Sequence, residues 1–143
     1  MMIPFDSCHI GLMDLHEREI PVLADRANVE KLSALAAIGL CETVFTDDGR
    51  KVLGVVAAIP ISQDTCEVLV VSSNEQKKYP VVFAKSVRAA LSIIRQHFVN
   101  IQTVGEDTSF FARWFSWLGF ACRGPVVRPG FGGKRMLMWG MSV

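Results

Sequence analysis

Residues 66–98, CEVLVVSSNEQKKYPVVFAKSVRAALSIIRQHF, constrain the fold more than any other stretch of this chain. Val68, Leu69, Val70 and Val71 make a continuous, largely β-branched run ending in Ser72-Ser73-Asn74, the pattern of a strand covered on both faces. Such a strand lies well inside a sheet. After the polar loop, Pro80 suits a first helical turn, where its missing N–H costs nothing. From there Phe83, Val87, Ala90, Leu91, Ile94 and Phe98 recur at helical spacing. That stripe predicts a helix laid along the sheet. Lys78, Lys85, Arg88 and Arg95 fall off the stripe, so the corner between strand and helix offers backbone N–H groups backed by positive charge. A corner of this kind can hold an anion.

The rest of the chain is arranged around that unit. Residues 3–23 predict an edge strand, with residues 9–13 reading as strand and 15–19 as turn or helix. A helix is predicted over 24–38, with Val29, Leu32, Leu35 and Ala36 on one side, Ile38 as an optional member of that stripe, and Gly39 to end it. Two apolar runs, 42–46 and 51–61, flank Asp47-Asp48-Gly49-Arg50, whose Asp-Gly step supplies the positive φ of a tight hairpin. The pair Ala57-Ala58 in the second run suggests a buried strand passing close to a helix. Residues 100–104 read as a strand. The helix that follows can be capped by Asp107 or Thr108, carries Phe110, Phe111, Trp114, Phe115, Trp117 and Leu118, and stops at Gly119. So much aromatic surface implies burial on more than one side, or an interface. Residues 121–128 and 135–143, joined by a glycine-rich turn at 129–133, predict a closing hairpin.

With 143 residues and no linker, repeat or low-complexity tract, the chain reads as one domain, 1–143, with a mixed core. Its formal net charge of +1 argues against general capture of nucleic acid, which needs a strongly basic face. Cys8, Cys41, Cys66 and Cys122 are scattered, with no C-x-x-C pair, and read as buried free thiols. His9, His16 and His97 lack metal-ligand spacing, and no metal site is expected. The N-terminal segment MMIPFDSCHI has neither a basic leader nor a long apolar core, so the protein is expected to be cytoplasmic when made. The longest apolar run, 52–61, is far short of the roughly 20 residues that span a bilayer, and no membrane association is expected.

The element order, strand, helix, hairpin, strand, helix, strand, helix, hairpin, resembles that of the GNAT N-acetyltransferase superfamily over nearly the whole chain. EVLVVSSNEQ (67–76) is similar to the family's fourth strand and the start of its acyl-CoA pyrophosphate loop. TSFFARWFSWLGF (108–120) is similar to the helix and Gly-Phe turn after the fifth strand. Within the superfamily the chain is similar to small acetyltransferase-like internal virion proteins of short-tailed phages, which adds the virion as a location. The resemblance implies an α/β (α+β) fold: a mixed, mostly antiparallel central sheet flanked by helices and closed by a C-terminal hairpin. It implies acetyl-CoA as cofactor, held by Val70, Val71, Gln76, Lys77, Lys78 and Thr108, and Glu67 as the candidate base toward an amine.

Two departures from the family pattern bear on activity. The loop after Gln76 reads Lys77-Lys78-Tyr79-Pro80-Val81, without the glycines that let a backbone approach a pyrophosphate. The position of the family's thiolate-protonating tyrosine is Phe115, which has no proton to give. Two functions therefore stand side by side: a fold kept with a degenerate acyl-CoA loop, acting in a virion or on a host protein, and an acetyl-CoA-dependent N-acetyltransferase. For the first, a protein partner is expected on a face that includes Phe111, Trp114 and Trp117. The oligomeric state is not set by these residues.

Overall fold

The structure is a computed structural model, and it describes residues 1–15, 19–127 and 134–142. Among them are seven strands in one mostly antiparallel sheet of order β1-β2-β3-β4-β5-β7-β6. The strands are β1 (Met2–Pro4), β2 (Cys41–Phe45), β3 (Val52–Pro60), β4 (Thr65–Ser72), β5 (Asn100–Glu106), β6 (Ala121–Val126) and β7 (Met136–Ser142). The helices are α1 (Ile20–Ala24), α2 (Arg26–Ala37), α3 (Pro80–Ile94) and α4 (Ser109–Leu118). No helix among the described residues is long and apolar enough to cross a membrane. The contacts divide the chain into two compact units, Met1–Ile59 with Leu69–Ile94, and Pro60–Val68 with Arg95–Val143.

In the first unit, β1 pairs antiparallel with β2 and β2 with β3. Gly49 turns the hairpin at φ 72°, helped by the Asp48 carboxylate, which accepts from the Arg50 amide at 3.0 Å. Side chains from α1, α2 and the strands, among them Leu23, Leu32, Leu35, Cys41, Val55, Ala57 and Val71, form a common core. Asp25 caps α2 by accepting from the Ala27 amide at 2.9 Å, and Gly39, at φ 81°, ends it. The buried stripe of α3 is Phe83, Val87, Ala90, Leu91 and Ile94; Phe98 is also buried but lies beyond the helix end.

Several expectations need correction. The edge strand is Met2–Pro4, and residues 9–13 are not a strand: Ser7–Leu12 is a short 3₁₀ helix. Asp6 is the cause. Its carboxylate accepts from the Cys8 amide at 2.9 Å, while His9 Nδ1 accepts from the Asp6 amide at 3.1 Å, closing a reciprocal cap. The Cys8 N–H holds the Asp6 carboxyl below the usual carboxylate range. The strand covered on both faces is β3, buried from Val52 through Ala58, whereas Leu69 and Val70 on β4 are only half-buried. β4 nevertheless holds the fourth place of seven in the sheet. Of the four cysteines, Cys41 and Cys66 are buried but Cys8 and Cys122 are exposed. The predicted turn at 129–133 lies outside the described residues, as do residues 16–18 of the predicted turn or helix at 15–19.

In the second unit, β5 pairs antiparallel with β7 over seven residues, from Asn100↔Ser142 to Glu106↔Met136. β6 pairs with β7 across a register shift between Cys122 and Gly124. The parallel ladder to β4 joins Thr65–Glu67 to Asn100–Gln102. Just past it the Val68 carbonyl accepts from the Thr103 hydroxyl at 2.9 Å. α4 begins at Thr108, whose Oγ1 accepts from the Phe111 amide at 3.2 Å, and ends at Gly119, φ 101°. Phe115 and Leu118 are its buried residues. The Phe115 ring lies 5.5 Å from Trp139 and 5.9 Å from Phe120. Gly105 makes room for it, since a Cβ there would stand 2.6 Å from the ring.

Candidate functional site

The strand-to-helix corner is built from the end of β4, a 3₁₀ turn over Asn74–Lys78, and the start of α3. Ser73 anchors it and is fully buried. Its amide donates to the Leu53 carbonyl on β3 at 3.0 Å. Its hydroxyl accepts from the Asp14 amide at 3.0 Å and from the Glu75 amide at 3.4 Å. On the other side the Asp14 carbonyl accepts from the Asn74 amide at 2.6 Å, and Leu15 forms an isolated antiparallel bridge with Ser73. A piece of chain 59 residues away in sequence is thereby tied across the strand end.

The remaining loop amides are also engaged. Gln76 N–H donates to the Ser73 carbonyl and Tyr79 N–H to the Gln76 carbonyl, each at 3.1 Å, and the 3₁₀ pattern uses the others in the same way. In the first turn of α3, Pro80 has no N–H and Phe83 donates to the Tyr79 carbonyl at 3.0 Å. Only Val81 and Val82 keep first-turn amides for another acceptor. Two lysines converge on one carboxylate: Glu75 Oε2 lies 3.4 Å from Lys51 Nζ and 3.8 Å from Lys78 Nζ. Part of the local positive charge is already balanced.

Of the residues singled out for the cofactor, Val70, Val71, Gln76, Lys77 and Lys78 fall in this one corner of the first unit. Val71 is fully buried, Val70 and Gln76 half-buried, Lys77 and Lys78 exposed. Glu67 and Thr108 belong to the second unit, Glu67 half-buried on β4 opposite Gln102, and Thr108 spent as the α4 cap. On α4, Phe111 and Trp114 are half-buried, Trp117 is 45% exposed and Phe110 is 62% exposed. Trp114 and Trp117 stack at 6.0 Å with 15° between their planes. Asp14, Lys51 and Glu75 were not anticipated. Ser73 was read only as a strand end, and its place in a Ser-x-Glu turn was the available signal.

The corner does not fit a pyrophosphate closely. Most of the loop donors are bonded within the chain, leaving the Val81 and Val82 amides, and the loop 77–81 contains no glycine. Among the described residues no group of three or more His, Cys, Asp or Glu is placed to hold a metal ion.

Solved structures share this architecture. The chain is similar to Ard1 from Thermoplasma volcanium, with TM-score 0.76, 15% identity, and coverage of 100% of this chain and 97% of that one. It is similar to the ribosomal-protein-S5-alanine acetyltransferase from Vibrio fischeri at TM-score 0.71 and 14% identity, covering 99% and 91%. A GNAT-family acetyltransferase from Bacillus anthracis gives TM-score 0.67 at 11% identity, covering 99% and 93%. The fold is that of the GNAT acetyltransferases. No family model matches the chain, and no curated protein matches its sequence.

Proposed function

We propose that this protein keeps the acetyltransferase fold with a degenerate acyl-CoA loop and acts through a protein partner rather than through catalysis. The observation that carries this reading is the closed loop. Ser73, Asn74, Glu75, Gln76, Tyr79 and Phe83 all spend their amides inside the chain, so beyond the Val81 and Val82 amides a pyrophosphate finds a backbone donor in this corner only by displacing an existing bond. The partner surface is the α4 face with Phe111, Trp114 and Trp117, where large aromatic side chains reach solvent. A virion-associated or host-interaction setting is part of the same proposal. The test is calorimetry with acetyl-CoA. Absence of heat and of any thermal shift at millimolar acetyl-CoA is the expected result. A ligand at 100 times its Kd adds about 2.7 kcal/mol and raises Tm by roughly 5–10 °C, and such a shift would overturn the reading.

A second reading, an acetyl-CoA-dependent N-acetyltransferase acting on an amine of a protein or small molecule, is favoured by Lys77 and Lys78, exposed in the 3₁₀ turn just before α3. The solved acetyltransferases of the same fold support it too. In that case Lys78→Glu removes acetyl-CoA binding; unchanged affinity in that variant refutes the lysine placement.

A further inference from the structure

At the far end of α3 from the loop, about 22 Å away along the helix axis, is a small cleft lined by Gly39, Leu40, Glu42, Val56, Ala90, Ile93 and Ile94. It has room of about 20 Å³, enough for one group the size of a water or an ammonium. Among the described residues Glu42 is its only ionisable lining residue. Among the described residues no hydrogen bond or ion pair engages the Glu42 carboxylate. Burial alone pushes this carboxyl above the usual range, so no cation offsets its loss of water. Two helix C-termini lie at the cleft as well. α2 ends at Ala37, just before Gly39 and Leu40, and α3 ends at Ile94. Each adds partial negative charge. The rim is aliphatic and open: Ile93 is 45% exposed, and Ile38, next to Gly39, is 68% exposed.

A half-buried, unpartnered carboxylate in a cleft that two helix C-termini also reach, with no positive residue among its described lining, calls for a cation. The size of the cleft selects a compact ammonium over a planar guanidinium, and the apolar walls suit the methylene stem that carries it. We propose that this cleft receives a lysine side chain of a partner polypeptide, its ammonium on Glu42 and its flanking apolar residues on Ile38 and Ile93. The site is independent of acetyl-CoA and of the α4 face.

Methyl NMR titration of the intact chain with a capped Leu-Lys-Leu peptide tests it. Saturable shifts are expected at Leu40, Ile93 and Ile94, with affinity about tenfold weaker in Glu42→Gln, as befits loss of a charge-assisted bond. The same peptide carrying acetyl-lysine should bind no better than that variant. Absence of shifts, equal affinity of the wild type and Glu42→Gln, or equal binding of the acetylated peptide overturns the site. Equal binding of a Leu-Arg-Leu peptide overturns the choice of lysine. Butylammonium binding as tightly as the peptide overturns the polypeptide partner. Circular dichroism of Glu42→Gln confirms that the variant compared is folded.

Discussion

Gly54 on β3 is the position where one methyl group should do the most damage. A Cβ there would lie 2.6 Å from the Val71 carbonyl oxygen on β4 and 2.8 Å from Phe83 Cε1 on α3. Non-bonded carbon does not tolerate either distance, and the nearer obstacle is backbone, which cannot rotate away. Inserting a methyl group into a packed core typically costs about 1–3 kcal/mol, and a carbonyl obstacle places Gly54→Ala at the upper end, about 3 kcal/mol. For a chain of this size that is roughly 10 °C in Tm. Urea and thermal unfolding followed by circular dichroism measure both quantities. Two glycines calibrate the result. At Gly105 the obstacle is the edge of the Phe115 ring, 2.6 Å away, which can tilt, so Gly105→Ala should lose less, about 1–2 kcal/mol. At Gly11 nothing lies within 4 Å, and Gly11→Ala should stay within about 0.5 kcal/mol of the wild type. A near-neutral Gly54→Ala, or a Gly105→Ala loss as large, would falsify the claim that β3, β4 and α3 close on each other at Gly54.

Other perturbations follow from the same contacts. Thr108→Ala removes the acceptor for the Phe111 amide and should cost about 1 kcal/mol by urea unfolding, while Thr108→Ser should restore most of it. Burial pushes the thiols of Cys41 and Cys66 up to about 12 and about 11, whereas Cys8 and Cys122 are exposed. Ellman's reagent should therefore titrate two thiols in the native protein and four after denaturation; fast reaction of all four would refute the burial. For Glu42 the folded-state pKa is raised, so folding favours its protonated form. The stability this contributes is complete below the unfolded-state pKa and is lost as pH rises through the folded-state value. Relative to the wild type, Glu42→Gln should gain stability as pH rises above the ordinary carboxylate range, and a difference independent of pH would contradict the burial of that carboxylate.

What could be read from residues alone divides along physical lines. Elements specified by local chemistry were legible: the Asp48-Gly49 hairpin, the Pro80 helix start, and the Thr108 and Gly119 ends of the aromatic helix. The error at residues 9–13 has a local cause as well. The run His9-Ile10-Gly11-Leu12-Met13 reads as a strand by itself, but the Asp6–His9 cap draws the backbone into 3₁₀ geometry. Close approach of β3 to a helix was inferred from Ala57-Ala58, yet the tight contact is at Gly54, because facing residues are set by register and not by small side chains alone. The candidate site was legible only in part. Lys77, Lys78 and the missing glycines are visible in the sequence, but the closure of the loop depends on Asp14 meeting Ser73 and on Lys51 meeting Glu75. Those pairings come from distant parts of the chain and leave no periodic trace. The pair Glu42 and Ile93 is of the same kind.

The shift in β6 between Cys122 and Gly124 limits how other molecules can attach. β6 ends the sheet order, so among the described residues one of its sides has no neighbouring strand, yet Gly124 at φ 117° bends the strand and Pro125 removes an amide from it. An incoming strand finds there an irregular row of donors and acceptors that it cannot match. Growth of the sheet into fibrils or strand-swapped chains is disfavoured at this edge, even at the crowding of a dense assembly. At this edge any contact with another protein would fall to side chains, which a single substitution can retune without touching the backbone.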